Sequence, residues 1–268
     1  MHKQSYDPRR WKAIWNTGNY YERGINDIFH EVLMDRPEPG LVIDVGMNIG
    51  WFSLYSRAHG HHVAAFEPNV ANHFRMCESI VANKWDADGT VSFYPYGVGS
   101  SHGETIMYTP GNPGGASLIK EHVPLNYQNT KRTIQVEKLD DIAEDQHWTL
   151  PNAMPIYLLK VDVEGYEPFV IEGGRKLIQS GKVEHIIMEK SNTDEEVVFP
   201  MYSLLYQSGY RIAKIMDASG NPRHSDPETL ARLNSSFEKL PQMMETGVYD
   251  DNMKWMLRSN YNLFYSRV

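Results

Sequence analysis

The chain has 268 residues, with 34 Asp and Glu against 26 Lys and Arg, a formal net charge of −8 and a single cysteine. An apolar share of 41% with 22% charged residues is that of a folded soluble protein, and the acidic balance argues against non-specific nucleic-acid binding. Cys77 alone makes neither an intrachain disulfide nor a cysteine zinc site, no apolar run approaches the roughly 20 residues of a membrane span, and MHKQSYDPRRWKAIW lacks the apolar core of a signal peptide, so a cytoplasmic protein is expected.

In chain order, residues 1–40 read as an N-terminal helical cap. Ile25, Ile28, Phe29, Val32 and Leu33 recur at helical spacing, and Pro37, Pro39 and Gly40 end the pattern. From residue 41 short apolar runs alternate with amphipathic stretches: LVIDVG (41–46) is a buried strand, a helix follows Gly50 to about Ala58, HVAAFEP (62–68) is the next strand, a helix runs from about Val70 to Asn83, and VSFYPYGV (91–98) is a third strand. This βαβαβ rhythm predicts a parallel sheet with helices on both faces. ETIMY (104–108) reads as an edge strand, PGNPGGAS (110–117) as a loop, and TIQVEKL (133–139) leads to a short helix that Asp140 can cap. IYLLKVDVEG (156–165), VEHIIME (183–189) and RIAKIMD (211–217) are the remaining core strands, with VVFPMYSLLYQSGY a helix broken at its proline. NLFYSRV (262–268) closes the chain as a strand that returns antiparallel, and the polar stretch 218–260 is a cap-like insertion in a domain spanning 41–268.

The stretch Asp44-Val45-Gly46-Met47-Asn48-Ile49-Gly50 lies where the first strand turns into a helix, at the edge where open α/β sheets bind ligands. Gly46 and Gly50 permit a tight turn with close backbone approach, and Glu67, followed by Pro68 at the end of the second strand, can accept both hydroxyls of a ribose. A dinucleotide fingerprint starting at Gly46 needs glycine at 48 and 51; Asn48 and Trp51 stand there and speak against NAD(P). S-adenosyl-L-methionine has a ribose and an α-amino group but no phosphate, and Asp44 ahead of the glycines suits it.

DVGMNIGWFSLYSRAHGHHVAAFEPN, LLKVDVEGYEPFVIEGG and IIMEKS together resemble the FkbM-type class I methyltransferases over about residues 41–190, and more weakly through 217 and NLFYSR. The D-x-G-x-N-x-G element marks the broad superfamily and K-V-D-V-E-G-Y-E the family. The resemblance implies a Rossmann-like, seven-stranded, mostly parallel sheet with an antiparallel last strand. It also implies methyl transfer from S-adenosyl-L-methionine to a hydroxyl on a sugar, glycan or natural-product small molecule. It places Gly97 and Val98 near the adenine, and the 110–117 loop over the methyl donor.

Methyl transfer to a hydroxyl needs an in-line acceptor and a base for its proton. Strand alternation puts Lys160, Asp162 and Glu164 on one face as the strand reaches the ligand edge, which makes Asp162 and Glu164 the first catalytic candidates, followed by Glu189 at the end of the adjacent strand and by Lys160; the alternative is a structural ion pair between Lys160 and one of the carboxylates. Asp162 also counts among the expected cofactor contacts. Glu167 reads as a carboxylate in a helix's first turn and Glu172 as a solvated one. His59, His61 and His62 fall in the loop at the opposite edge of the sheet and are expected to be solvent-exposed; no metal site is expected, although Asp140, Asp141, Asp162 and Glu189 are oxygen donors of the kind magnesium takes. Trp11, Trp15, Tyr20 and Tyr21 are packing residues or the lining of an acceptor pocket. The competing readings are a cofactor-binding partner without turnover and a nicotinamide oxidoreductase.

Overall fold

The computed structural model describes residues 22–34, 36–109, 115–127, 130–217, 219–223, 226–258 and 260–268. Strand β1 (Leu41–Val45) is buried at all five residues and pairs in parallel with β2 (His62–Phe66), which pairs with β3 (Val91–Tyr94). On its other side β1 pairs with β7 (Ile156–Val161), followed by β8 (Val183–Lys190), β10 (Tyr261–Arg267) and β9 (Tyr210–Met216). The order β3-β2-β1-β7-β8-β10-β9 is parallel except for β10, which runs against both neighbours. The predicted seven-stranded sheet with an antiparallel closing strand is what forms. Strand order reverses between β1 and β7, and at such a reversal the outgoing loops diverge and leave a crevice.

Helix α1 (Arg23–Leu33) buries Ile25, Ile28, Phe29, Val32 and Leu33, with Phe29 stacked on Phe52 at 4.5 Å between ring centroids. Phe52 belongs to α2 (Trp51–Ala58), which together with α3 (Val70–Ala82) links the first three strands. Trp11, Trp15, Tyr20 and Tyr21 lie outside the described residues.

The predicted third strand divides. β3 stops at Tyr94, and Gly97–Val98 forms β4 in a separate sheet of order β4-β6-β5, with β5 Gly103–Tyr108 and β6 Lys131–Glu137. Pro95 carries no amide hydrogen to continue a ladder, and the chain leaves the main sheet there. The expected edge strand at 104–108 is thus an edge of this small sheet. Asp140 lies in α4 (Leu139–Asp145) but does not cap it. Its carboxylate accepts the amides of Lys176 and Leu177 in the first turn of α6 (Arg175–Gln179), which follows α5 (Glu167–Gly173).

Helix α7 (Glu195–Gln207) runs unbroken through Pro200, because burial of Val198, Phe199, Met201, Tyr202, Leu204 and Leu205 outweighs one lost backbone bond. The 218–260 stretch forms α8 (Pro227–Thr246) and α9 (Asp251–Arg258). Their Leu233, Phe237, Leu240, Met253 and Met256 join the core shared with α7 and the sheet. No helix among the described residues is long and apolar enough to cross a membrane.

His61 departs from its expected exposure. It is buried at 3% exposure, its Nδ1 accepts the Gly40 amide and its Nε2 donates to the Leu33 carbonyl, which fixes one neutral tautomer tying α1 to the sheet. Burial lowers its pKa further.

Candidate active site

A pocket opens at the carboxyl ends of β1, β2, β7 and β8, where the strand order reverses. Its first wall is the turn from β1 into α2, in which Gly46, Asn48 and Gly50 have φ of 80°, 55° and 87°. At Gly46 both the positive φ and the neighbour demand glycine, since a Cβ would lie 1.9 Å from the Asp162 carbonyl oxygen. Asparagine tolerates the same region, and its backbone then points inward: the Asn48 amide donates to Glu67 Oε2 at 3.0 Å. The Asn69 amide donates to Glu67 Oε1 at 2.7 Å. Burial pushes the Glu67 carboxyl up to about 7 against these amide donors. Gly46, Asn48, Glu67, Pro68, Gly97 and Val98 all line the pocket, as do Phe66 and Tyr96.

Asp44 and Gly50 stand behind this wall. Asp44 is fully buried; Ser53 Oγ donates to its Oδ2 at 2.6 Å, and Lys160 Nζ sits 3.5 Å from its Oδ1, an ion pair without a directed hydrogen bond. The register explains the pairing, because Asp44 is opposite Lys160 across β1 and β7. Gly50, also at positive φ, starts α2.

The second wall is acidic. Asp162 continues the register of β7, its amide donating to the Val45 carbonyl, and it shares the face of Lys160, whose Nζ lies 3.2 Å from Asp162 Oδ2. Val161 is opposite Met188, so Glu189 follows on the neighbouring strand beside Asp162. Glu164 reaches the cluster by a different route: β7 has ended, and a turn with φ 53° at Glu164 itself swings it round. Asp162, Glu164 and Glu189 offer carboxylate oxygens all within 4.8 Å of one another. Burial, the charges of Asp162 and Glu164, and a hydrogen bond to Asp162 push the Glu189 carboxyl well above the usual range, which favours its protonated form. Burial alone would lower the Lys160 pKa, but Asp162, Asp44 and Glu22 outweigh it and raise it, so the ammonium stays charged.

Several lining or supporting residues were not among the site residues expected from the sequence. Glu22, at the start of the described chain, lines the pocket at 9% exposure. Trp51 lines it too and donates from Nε1 to Asn26 Oδ1 at 2.7 Å. Tyr166 lies in the wall and stacks on Phe169. Of the expected 110–117 loop, Ala116 and Ser117 line the pocket with the next residue Leu118, and residues 110–114 lie outside those described. Glu167 is not a bland first-turn carboxylate: it is 1% exposed, its Oε1 accepts the amides of Val163 and Gly165, and burial pushes it up to about 7. Glu172 pairs with Arg175 on the surface.

The profile of the family described as the methyltransferase FkbM domain matches residues 44–212. The chain is 31% identical over 178 residues to the hexuronic acid methyltransferase AglP of Haloferax volcanii, covering 66% of each protein. It is 27% identical over 179 residues to the methyltransferase sdnD of Sordaria araneosa, covering 54% of this chain and 67% of that one. The chain therefore spans about two thirds of the length of these relatives. An rRNA methylase from Streptococcus thermophilus superposes with a TM-score of 0.45 at 9% identity, covering 91% of this chain and 94% of that one. With the family profile running from Asp44 through both walls of the pocket to β9, the chain belongs to the FkbM methyltransferase domain family.

Proposed function

We propose that the chain transfers the methyl group of S-adenosyl-L-methionine to a hydroxyl oxygen on a sugar, glycan or natural-product small molecule. The observation that carries this reading is the meeting, in one pocket, of a ribose-type carboxylate bonded by a glycine turn with a cluster of three carboxylates. The donor set suits the cofactor. Glu67 accepts the Asn48 and Asn69 amides, one on each oxygen, and the Asn72 side chain, and keeps lone-pair capacity for a ribose hydroxyl. Phe66, Tyr96 and Val98 offer an apolar wall for a flat base, and the acidic wall complements a sulfonium and an ammonium. When bound, S-adenosyl-L-methionine supplies a methyl group already activated for displacement. Asn48 and Trp51 still oppose a nicotinamide dinucleotide.

The chain's own task is then the proton. Lys160 at 3.2 Å weakens Asp162 as a base, and Glu189 favours its protonated form. Glu164 is accordingly the residue assigned to accept the hydroxyl proton, on a carboxylate oxygen, as the oxygen–methyl bond forms. Lys160, anchored by Asp44, holds Asp162 in place. Among the described lining residues four carboxylates, Glu22, Glu67, Asp162 and Glu164, face one ammonium, while Glu189 favours its protonated form. This excess favours an acceptor without a carboxylate of its own, in contrast to the hexuronic acid in the name of the Haloferax relative.

The test has two stages. Calorimetry with S-adenosylhomocysteine should show 1:1 binding; no binding would end the proposal. Transfer of labelled methyl from S-adenosyl-L-methionine is then followed over matched neutral, amine-bearing and uronic acid glycosides. Tight binding with no transfer to any acceptor favours a cofactor-binding partner without turnover, and preference for uronic acids overturns the charge argument.

A further inference from the structure

Glu164 carries a side chain on a left-handed backbone, with φ 53°, a conformation that persists only where the surroundings over-determine it. Three separate parts of the chain converge on this turn. Ser117 Oγ donates to the Glu164 carbonyl at 2.8 Å, and His122 Nδ1 donates to the same oxygen at 3.1 Å. The Ser117 hydroxyl is itself oriented, because its oxygen accepts the Ile119 amide at 3.0 Å, which leaves its proton for Glu164. From α5, Glu167 Oε1 accepts the amides on either side of Glu164, those of Val163 at 3.1 Å and Gly165 at 2.9 Å. From beyond β8, buried Asn192 donates through Nδ2 to the Gly165 carbonyl at 2.9 Å. The fit is close: a Cβ at Gly165 would lie 2.1 Å from the His122 ring.

Holding one peptide turn with five hydrogen bonds exceeds what a loop crossing needs. The stretch that supplies Ser117 and His122 also supplies a pocket wall through Ala116 and Leu118. We propose that Ser117 and His122, together with Glu167 and Asn192, are positioning residues that set the Glu164 carboxylate beside Asp162 and Glu189, so that the base is in place only when the 115–127 segment is docked against the pocket. The wall that meets the acceptor and the carboxylate that takes its proton are thereby one mechanical unit. This rests on the reading of Glu164 as the proton acceptor in methyl transfer, and it adds residues that lie outside the acidic cluster.

The test reads Glu189 as a reporter of where Glu164 is. The charges bearing on Glu189 are those of Asp162, Glu164 and Glu167. In the full chain, the carboxyl carbon of Glu189, identified by Glu189→Gln, is titrated by NMR. Ser117→Ala combined with His122→Ala should let the Glu164 turn relax, removing its charge from the cluster and lowering the Glu189 midpoint by about half a pH unit or more. Ser117→Thr, which keeps the hydroxyl, should restore the parent titration; a role confined to general stability predicts no such rescue at an unchanged midpoint. Asn192→Ala gives the same readout from the opposite side of the turn and serves if the double variant does not fold. An unchanged Glu189 midpoint in a folded variant overturns the proposal. Failure of the parent chain to bind S-adenosylhomocysteine would instead overturn the methyl-transfer reading, and the Glu189 shift would still report on the clamp.

Discussion

The two walls of the pocket use the same functional group in opposite ways. At the ends of β1 and β2, Glu67 has each oxygen fixed by a backbone amide, so its geometry is set before any ligand arrives and its role is to accept hydrogen bonds. At the ends of β7 and β8, Asp162, Glu164 and Glu189 crowd within 4.8 Å of one another, and repulsion and burial set their protonation. A carboxylate held by amides is suited to recognition, the role proposed for Glu67. Carboxylates held by one another, with a nearby ammonium, are the ones proposed to hold and move protons.

The sharpest way to break this contrast is to neutralise one carboxylate on the acidic wall. Glu164→Gln should lower turnover by about 10²–10⁴-fold, the usual worth of a positioned general base, while S-adenosylhomocysteine affinity stays within about threefold. Asp162→Asn should follow the same pattern with a smaller loss, since Lys160 already tempers its basicity. Single-turnover rates and calorimetry on the same preparations decide it. Equal losses of affinity and rate in Glu164→Gln would show that the walls do not divide their labour.

A second, smaller effect falls on what joins the walls. Asp44 lines neither of them, yet it is fully buried between Ser53 and Lys160. Removing one partner of a buried ion pair typically costs about 3 kcal/mol or more. Asp44→Ala should therefore lower the stability measured by urea unfolding by about that amount, with loss of cofactor binding following from the displaced Lys160. Weakened binding at unchanged stability would instead place Asp44 in direct contact with the ligand.

The same division explains what the sequence could disclose. Strand and turn signals are local, so the β1 turn, Glu67 and the seven strands of the sheet were legible from periodicity and glycine spacing. Lys160 and Asp162 were legible because alternation along one strand orders them. Glu164 was named for the wrong reason: the strand register does not extend past Asp162, and a left-handed turn brings Glu164 in. Glu22, His122 and Asn192 come from segments distant in sequence, and nothing local marks them, while Ser117 was marked only as the last residue of the 110–117 loop. Glu167 looked ordinary because its importance lies in the two amides it holds, which only the folded turn presents. The division of 91–98 between two sheets turned on Pro95, whose effect depends on which neighbour the strand would have had.

The smallest expected effect sharpens the recognition wall. Burial holds the Glu67 carboxyl at about 7, so in the ligand-free protein it is largely protonated at pH 6 and largely ionised at pH 8. Only the ionised form can accept from a ribose hydroxyl while keeping the Asn48, Asn69 and Asn72 donors. Binding therefore competes with protonation: affinity for S-adenosylhomocysteine should fall as pH drops below about 7, approaching tenfold per unit, and should level off above it. The buried Glu167 shares a midpoint near 7 but faces the Glu164 turn, and Glu189 titrates within the acidic wall. Glu67→Gln isolates the contribution of Glu67. It should weaken binding about tenfold at pH 8 and flatten the profile between pH 6 and 8. A profile that keeps its slope in Glu67→Gln would assign the pH response to the acidic wall, and recognition and proton handling would then share one set of carboxylates.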